Sequence, residues 1–371
     1  MPERLVVRMG RWVLAIALLW ATAWAQQKAA SPQTTPKTEA PPAPLPTYNV
    51  VLTPIPNISV PVPDEVDASV AQCDGAGNPY FAVEGENDAE FVSLTSKGAV
   101  TFPAKKITDI AAPHMETAFV APSSLLALTV GAEADQQEGN PIKDFMAKGE
   151  MRVYVARFDL DGSYKGALRL DLKLLPMQIA AFESGSFLIA GLDQSNVARV
   201  ALMDSSGELL RYVELPKDIA ENPKAVEKSC GNRSFSLFCG DMQSVAMSAG
   251  FFSYKGNILF LRGLDSSRIY EIRESGEVRM LKIKNTAGLN VDGLLPSDRN
   301  WFVHSADEFF EVNPETGDLL GRYRLPKTSE KDHLACVLEG KFVGLRHQDG
   351  KVTLLTGLAE PAAEKPPSRK R

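Results

Sequence analysis

Three observations predict an all-β chain folded as a six-bladed β-propeller. Its blades are four-stranded and antiparallel, and the ring is closed by an N-terminal strand pairing in the last blade. First, one hairpin signature, two alternating apolar strands around a polar turn ending in Gly, occurs five times. Second, two further β-prone runs precede a hairpin in the repeating unit, so that four short strands recur. Third, almost no stretch carries the 3.6-residue period of a helix. A β-sandwich also yields short strands at regular spacing, but it does not repeat one hairpin signature in this way.

Residues 1–25 read as a signal peptide. Arg4, Arg8 and Arg11 form a basic start, Trp12–Thr22 is uninterruptedly apolar, and Ala23-Trp24-Ala25 offers a small-x-small cleavage site. The apolar run is too short to cross a hydrocarbon core, which needs about 20 residues. No transmembrane segment is therefore expected after cleavage. Residues 26–47, with Pro32, Pro36, Pro41, Pro42, Pro44 and Pro46, read as a Pro-rich disordered spacer. Residues 48–358 are assigned to the propeller and 359–371, ending Ser-Arg-Lys-Arg, to a disordered basic tail. Removing residues 1–25 takes three Arg and one Glu from 40 basic and 46 acidic residues and moves the net charge from −6 to −8. An acidic exported chain argues against nucleic acid as partner.

The blades are expected at 67–104, 114–171, 177–216, 244–284, 291–326 and 333–357, with turn glycines Gly98, Gly162, Gly207, Gly276 and Gly317. The sixth unit has only three strands, and Tyr48–Leu52 is a β-rich orphan. Pairing that orphan with the last blade closes the ring and removes unpaired sheet edges.

One blade carries a family likeness. Val291-Asp292-Gly293-Leu294, then Asn300-Trp301-Phe302-Val303, then Phe310–Gly321 (FEVNPETGDLLG) resembles blades of NHL-type and gluconolactonase-like (TolB-like) six-bladed propellers. The likeness is strong there and diffuse in the other five blades. It implies a six-bladed fold. For the lactonase members it also implies a divalent metal in the central channel held by Glu, Asn and Asp. Asp292 stands at the Asp position of that set. The expected Asn and Glu are missing from SVAMSAGFF and SVAQCDGAG, and hard cations want several oxygen ligands. Otherwise Asp292 hydrogen-bonds its own turn, as Asx side chains do.

Other chemistry is sparse. Asp159-Leu160-Asp161-Gly162-Ser163 resembles the opening of a calcium loop, but it lacks the downstream Glu and lies where other blades have a hairpin turn. His114 and His333 each open an innermost strand and are candidates for the rim of the channel mouth. No nucleophile motif or phosphate loop is present. Cys230 and Cys239 bracket GNRSFSLF and are read as a local disulfide. Cys73 and Cys336 fall in the innermost strands of blades one and six, and two readings stay open: a bond locking the seam, or two buried thiols.

Two insertions, 131–150 and 217–243, are expected to crown one face beside the channel. Arg233, Phe235 and Phe238 in the second are the expected ligand contacts, since Arg and aromatic side chains dominate interface hot spots. The function expected is thus a monomeric binding or scaffold protein, periplasmic or secreted. It would recognise a protein, peptide or glycan through its loop-bearing face, with no evident catalysis and no cofactor. The alternative is a metal-dependent lactonase or hydrolase of the gluconolactonase-like type with a channel site near Asp292. A third reading is an envelope structural protein tethered by its Pro-rich arm.

Overall fold

The structure, a computed structural model, describes residues 44–62, 66–84, 89–132, 152–193, 198–214, 251–261, 268–286, 289, 291, 293–295, 297–305, 308–325 and 332–362. Its elements alternate along the chain as strand, turn, strand, because side chains of period two present one apolar face to each neighbouring sheet.

Four separate blades account for the first part of the chain. The first is β2 (Val66–Cys73), β3 (Pro79–Glu84), β4 (Ala89–Thr95) and β5 (Gly98–Pro103), followed by a 3-10 turn at Ala104–Lys106. The second is β6 (Ala111–Val120), β7 (Ser124–Ala132), β8 (Val153–Asp159) and β9 (Tyr164–Leu170). The third is β10 (Leu175–Ala181), β11 (Phe187–Leu192), β12 (Ala198–Met203) and β13 (Leu209–Tyr212). The fourth is β14 (Phe251–Tyr254), β15 (Asn257–Leu261), β16 (Arg268–Ile272) and β17 (Val278–Lys282). Neighbouring strands pair antiparallel in all four. The five turn glycines expected from the repeat all have positive φ, from 74° at Gly317 to 119° at Gly98, a region that Gly enters at little cost. The calcium-like Asp159–Ser163 segment is the β8–β9 hairpin turn, closed by Asp159 N–H to Ser163 O at 2.9 Å and Gly162 N–H to Asp159 O at 2.9 Å.

The remaining strands depart from the expectation of six separate blades. The strands β18 (Gly293–Leu295), β19 (Trp301–Ser305), β20 (Glu308–Val312), β21 (Leu319–Arg324), β22 (Asp332–Leu338), β23 (Lys341–Gln348) and β24 (Lys351–Pro361) join β1 (Thr47–Pro61) in one eight-stranded sheet. Its order is β18-β19-β20-β21-β1-β24-β23-β22. The described residues therefore form four separate four-stranded blades and one eight-stranded sheet. The cause is that β1 pairs along both of its edges. It pairs antiparallel with β24 from Tyr48↔Pro361 to Pro61↔Lys351, and its first residues also run parallel to β21, Thr47↔Arg322 to Asn49↔Arg324. Stacking of Tyr48 on Tyr323 (5.0 Å between centroids) and a bond from Arg322 N–H to Pro46 O (2.9 Å) fasten that junction.

The same pairing corrects two boundaries. The expected tail from 359 loses its first residues to the fold: Ala359, Glu360 and Pro361 pair with Val50, Asn49 and Tyr48, so β24 continues to Pro361. The orphan strand expected at Tyr48–Leu52 continues to Pro61 beyond an irregularity between Pro54 and Ser59, where Asn57 has φ 62°.

The core lies between the blades. Tyr80 and Phe102 of the first blade meet Met115 and Phe158 of the second. Trp301, almost wholly buried, packs edge-on to Tyr254 of the fourth blade at 5.7 Å. Phe302 meets Phe342 edge-on at 5.9 Å within the eight-stranded sheet. Phe81, Val83 and Val92 of the first blade cluster with Ala335, Leu345 and Leu354. Aromatic pairs of this kind add about 0.5–1.5 kcal/mol beyond the apolar area they bury.

Candidate functional site

Contacts between sheets include a nearly continuous run through the first strand of each antiparallel set. β2 touches β6, β6 touches β10, β10 touches β14, β18 is reached from β15 and touches β22, and β22 returns to β2. The inner edges of these strands enclose the axis of a propeller-like ring. The seam between β22 and β2 is locked covalently, because Cys73 and Cys336 form a disulfide. Of the two readings left open for these cysteines, the bond is the one realised.

The axis has two unlike ends. At the carboxyl ends of the first strands, the Gln72 side chain accepts from Val120 N–H at 3.2 Å and donates through Nε2 to Phe251 O at 3.2 Å. Val120 ends β6, the neighbour of β2. Phe251 opens the described part of β14, which lies on the far side of the ring. Gln72 is therefore a crossbar over the axis, with both ends of its amide engaged.

Toward the amino ends stand ionisable side chains. His114 lies in β6 opposite Val130, flanked by irregularities between Ala111 and His114 and between Met115 and Thr117. Bulges re-aim side chains and are frequent beside functional sites. The second irregularity contains Glu116, whose carboxylate stands 3.9 Å from His114 Nε2. Met115 between them is buried in the core, so the two polar side chains leave the core together. Glu116 keeps 42% of its side chain open to solvent. Even so, desolvation by surrounding protein is the main influence raising its carboxyl above the ordinary range, with His114 pulling it down.

His333 is exposed near the amino end of β22. Beside it, buried Asp332 is gripped by Arg346 through bonds of 2.6 and 2.8 Å, and this pairing holds the guanidinium pKa above its usual value. His114 and His333 do not open their strands: His114 is fourth in β6 and His333 second in β22. Strand β2 intervenes between them in the ring.

Glu116 and Gln72 were not singled out from sequence. Glu116 stands two residues from His114 in sequence, and the bulge at Glu116 is what brings the two side chains within 3.9 Å. Nothing local marks Gln72. Asp292, Arg233, Phe235, Phe238, Cys230 and Cys239 lie outside the described residues. Among the described residues, no three His, Cys, Asp or Glu side chains converge as a metal site. Among them, no helix is long and apolar enough to cross a membrane.

No protein-family model matches the chain, and no curated protein matches it. The likeness of Val291–Gly321 to NHL-type blades therefore has no family match behind it. Among solved structures, the chain is similar to one described as a streptogramin B lyase structure, at 11% identity and a TM-score of 0.43, over 84% of this chain and 88% of that one. It is also similar to PorZ, described as an essential bacterial surface component of the type-IX secretion system of human oral-microbiomic Porphyromonas gingivalis. That match has 12% identity and a TM-score of 0.34, covering 84% of this chain and 40% of PorZ. This chain thus spans about two-fifths of PorZ, and neither likeness carries an activity across to it.

Proposed function

We propose that this chain is an exported six-bladed β-propeller of the NHL/gluconolactonase-like kind, a binding or scaffold protein. It recognises a protein, peptide or glycan through the ring face at the amino ends of the first strands. The observation that carries the reading is the placement of the two longest intervals between consecutive described strands. The interval from Ala132 to Val153 leaves β7 where Ala132 pairs with Ala111, at the amino end of β6. The interval after Tyr212 leaves β13 toward the amino end of β10, because β10, β11, β12 and β13 run alternately antiparallel. Both attach to the same face, and long connections on a rigid scaffold are where recognition concentrates.

The count of six is supported by the parallel β1–β21 junction. It divides the eight-stranded sheet into two antiparallel sets of four, each with its first strand on the axis. Export is supported by the Cys73–Cys336 disulfide, since such bonds persist in oxidising compartments. On this reading residues 1–25 are a cleaved signal peptide and the expected 26–47 spacer ends one residue earlier, since β1 starts at Thr47, with the protein periplasmic or secreted.

The test is co-purification from the native envelope. A chain lacking residues 222–240 should keep the parent unfolding transition and lose the partner that the parent retains. Unchanged co-purification would overturn the assignment of the face.

A further inference from the structure

In each of the four separate blades the outer strand ends the sheet. An edge of unpaired N–H and C=O groups is a template for a further strand. Three of these edges are guarded. On β9, Ala167 N–H donates to Asp109 Oδ2 at 3.1 Å, and Lys165 and Arg169 are exposed. β5 ends in Pro103, which has no N–H to offer, and the Gly162 turn of the second blade lies against Thr101 O. β17 carries Arg279 and Lys282, and charged side chains blunt an edge.

β13 differs. Leu209, Leu210 and Tyr212 are 40%, 57% and 41% exposed, whereas β17 exposes one large apolar side chain, Met280, and β5 and β9 none. A bulge gathers them. Met203 stands opposite Leu209, Leu202 opposite Arg211 and Ala201 opposite Tyr212, so Leu210 is an extra residue without a partner on β12. Met203 and Ala201 share a face of β12, which puts Leu209 and Tyr212 on one face, where a regular strand would divide them. Arg211, the one basic residue of β13, falls on the other face. Its guanidinium lies against Gly276 of the fourth blade, where a Cβ would stand 2.7 Å from Nη2.

Exposed Glu208 and Glu214 flank the strand. The edge therefore reads acidic, apolar, acidic. Its complement is an extended segment with apolar residues in the middle and a basic residue at either end. A second copy of this chain is a poor occupant, because two such edges would bring their carboxylates together on chains of net charge −6.

We propose that the edge of β13 takes a strand of a partner protein by β-strand addition, with backbone bonds giving attachment and the flanking basic residues selectivity. The added strand becomes the fifth of the third blade, its apolar side chains beside Leu209 and Tyr212. The proposal goes beyond the ring-face reading and does not rest on it.

The test uses the full mature chain from Gln26 and three capped heptapeptides, titrated calorimetrically at low salt. The first is Lys-Val-Thr-Val-Thr-Val-Lys, and the second has Glu at both ends. The third is the Lys-ended sequence with Pro at its centre, which keeps the charge and loses a backbone donor. Saturable one-to-one binding of the first is expected, with at least tenfold weaker binding of the second and none of the third. Leu210→Lys, which charges the edge at a side chain already exposed, should weaken binding of the first at least tenfold. Met280→Lys on β17 should leave it unchanged. Glu208→Lys combined with Glu214→Lys should reverse the preference between the Lys-ended and Glu-ended peptides. Matching unfolding transitions for the variants and the parent establish that a loss is not misfolding. Absence of saturable binding, equal binding of the Pro peptide, an unreversed preference, or a Leu210→Lys variant that binds like the parent would each overturn the proposal. So would an equal loss in Met280→Lys. A concentration-dependent dimer of the parent that Leu210→Lys abolishes would overturn it too, by giving the edge to a second copy.

Discussion

Replacing both halves of the seam disulfide, Cys73→Ala with Cys336→Ala, should lower the midpoint of thermal unfolding by about 5–8 °C. The bond spans a sequence separation of 263 residues. In the chain-entropy account, a closure of that length removes about 5.5 kcal/mol of freedom from the unfolded chain, and about 3 kcal/mol is a realistic lower figure. Near 60 °C the unfolding entropy is about 2.1 cal/mol/K per residue, or roughly 0.65 kcal/mol/K for the roughly 310 residues from 48 to 358, which converts those energies into the stated shift. The variant should still fold. Phe81, Val83, Ala335 and Leu345 pack across the same seam, and β1 pairs with β24 without help from sulfur.

The assay is differential scanning calorimetry without reductant. Parent and variant both carry Cys230→Ala and Cys239→Ala, so that the seam is the one oxidisable pair. Reductant should bring the parent down to the variant and leave the variant where it is. A variant within about 1 °C of the oxidised parent would refute the reasoning. It would mean that the β1 pairing closes the ring so well that the covalent bond adds nothing.

Two further predictions concern the blades. Gly317→Ala should cost about 3 kcal/mol or more, because φ is 74° and a Cβ would stand 2.2 Å from Lys282 O of the preceding blade. Gly256→Ala, with φ 78° and open space around it, should cost only about 1 kcal/mol, and equal losses in denaturant titrations would contradict the account. Glu308 is partly desolvated, which raises its carboxyl, but bonds from Arg322 and Arg324 outweigh this and hold it below its ordinary value in the fold. A depressed carboxylate stabilises above its unfolded pKa, about 4.3, and loses that contribution as pH falls through the folded value. The midpoint of the parent should therefore fall as the pH drops below about 4.3. Glu308→Gln should show a shallower fall there and a loss of about 1 kcal/mol at pH 7; parallel pH profiles would count against it.

The blades were legible because their determinants are local. The hairpin turns at Gly98, Gly162, Gly207, Gly276 and Gly317 each join strands only a few residues apart, and period-two patterning on either side tells each strand which face to bury. Closure by the N-terminal strand was legible as well, because a three-stranded last unit leaves one edge wanting a partner. The candidate site was legible only in part. His114 was visible as a histidine early in a first strand. The approach of Glu116 to His114 depends on a bulge that no pattern announces. Gln72 is one Gln among others until β14, 179 residues away in sequence, arrives opposite it.

By itself, then, the sequence determined the strand repeat, the turn chemistry and the all-β class, since each rests on side chains within a few residues of one another. Only the tertiary structure decided that Cys73 and Cys336 bond, that Gln72 bars the axis, and that β1 joins two sets of strands into one sheet. Each of those outcomes depends on which distant backbone reaches a given edge first. Edge pairing is set by hydrogen bonds that every residue can offer alike, so the choice among partners belongs to the assembled ring.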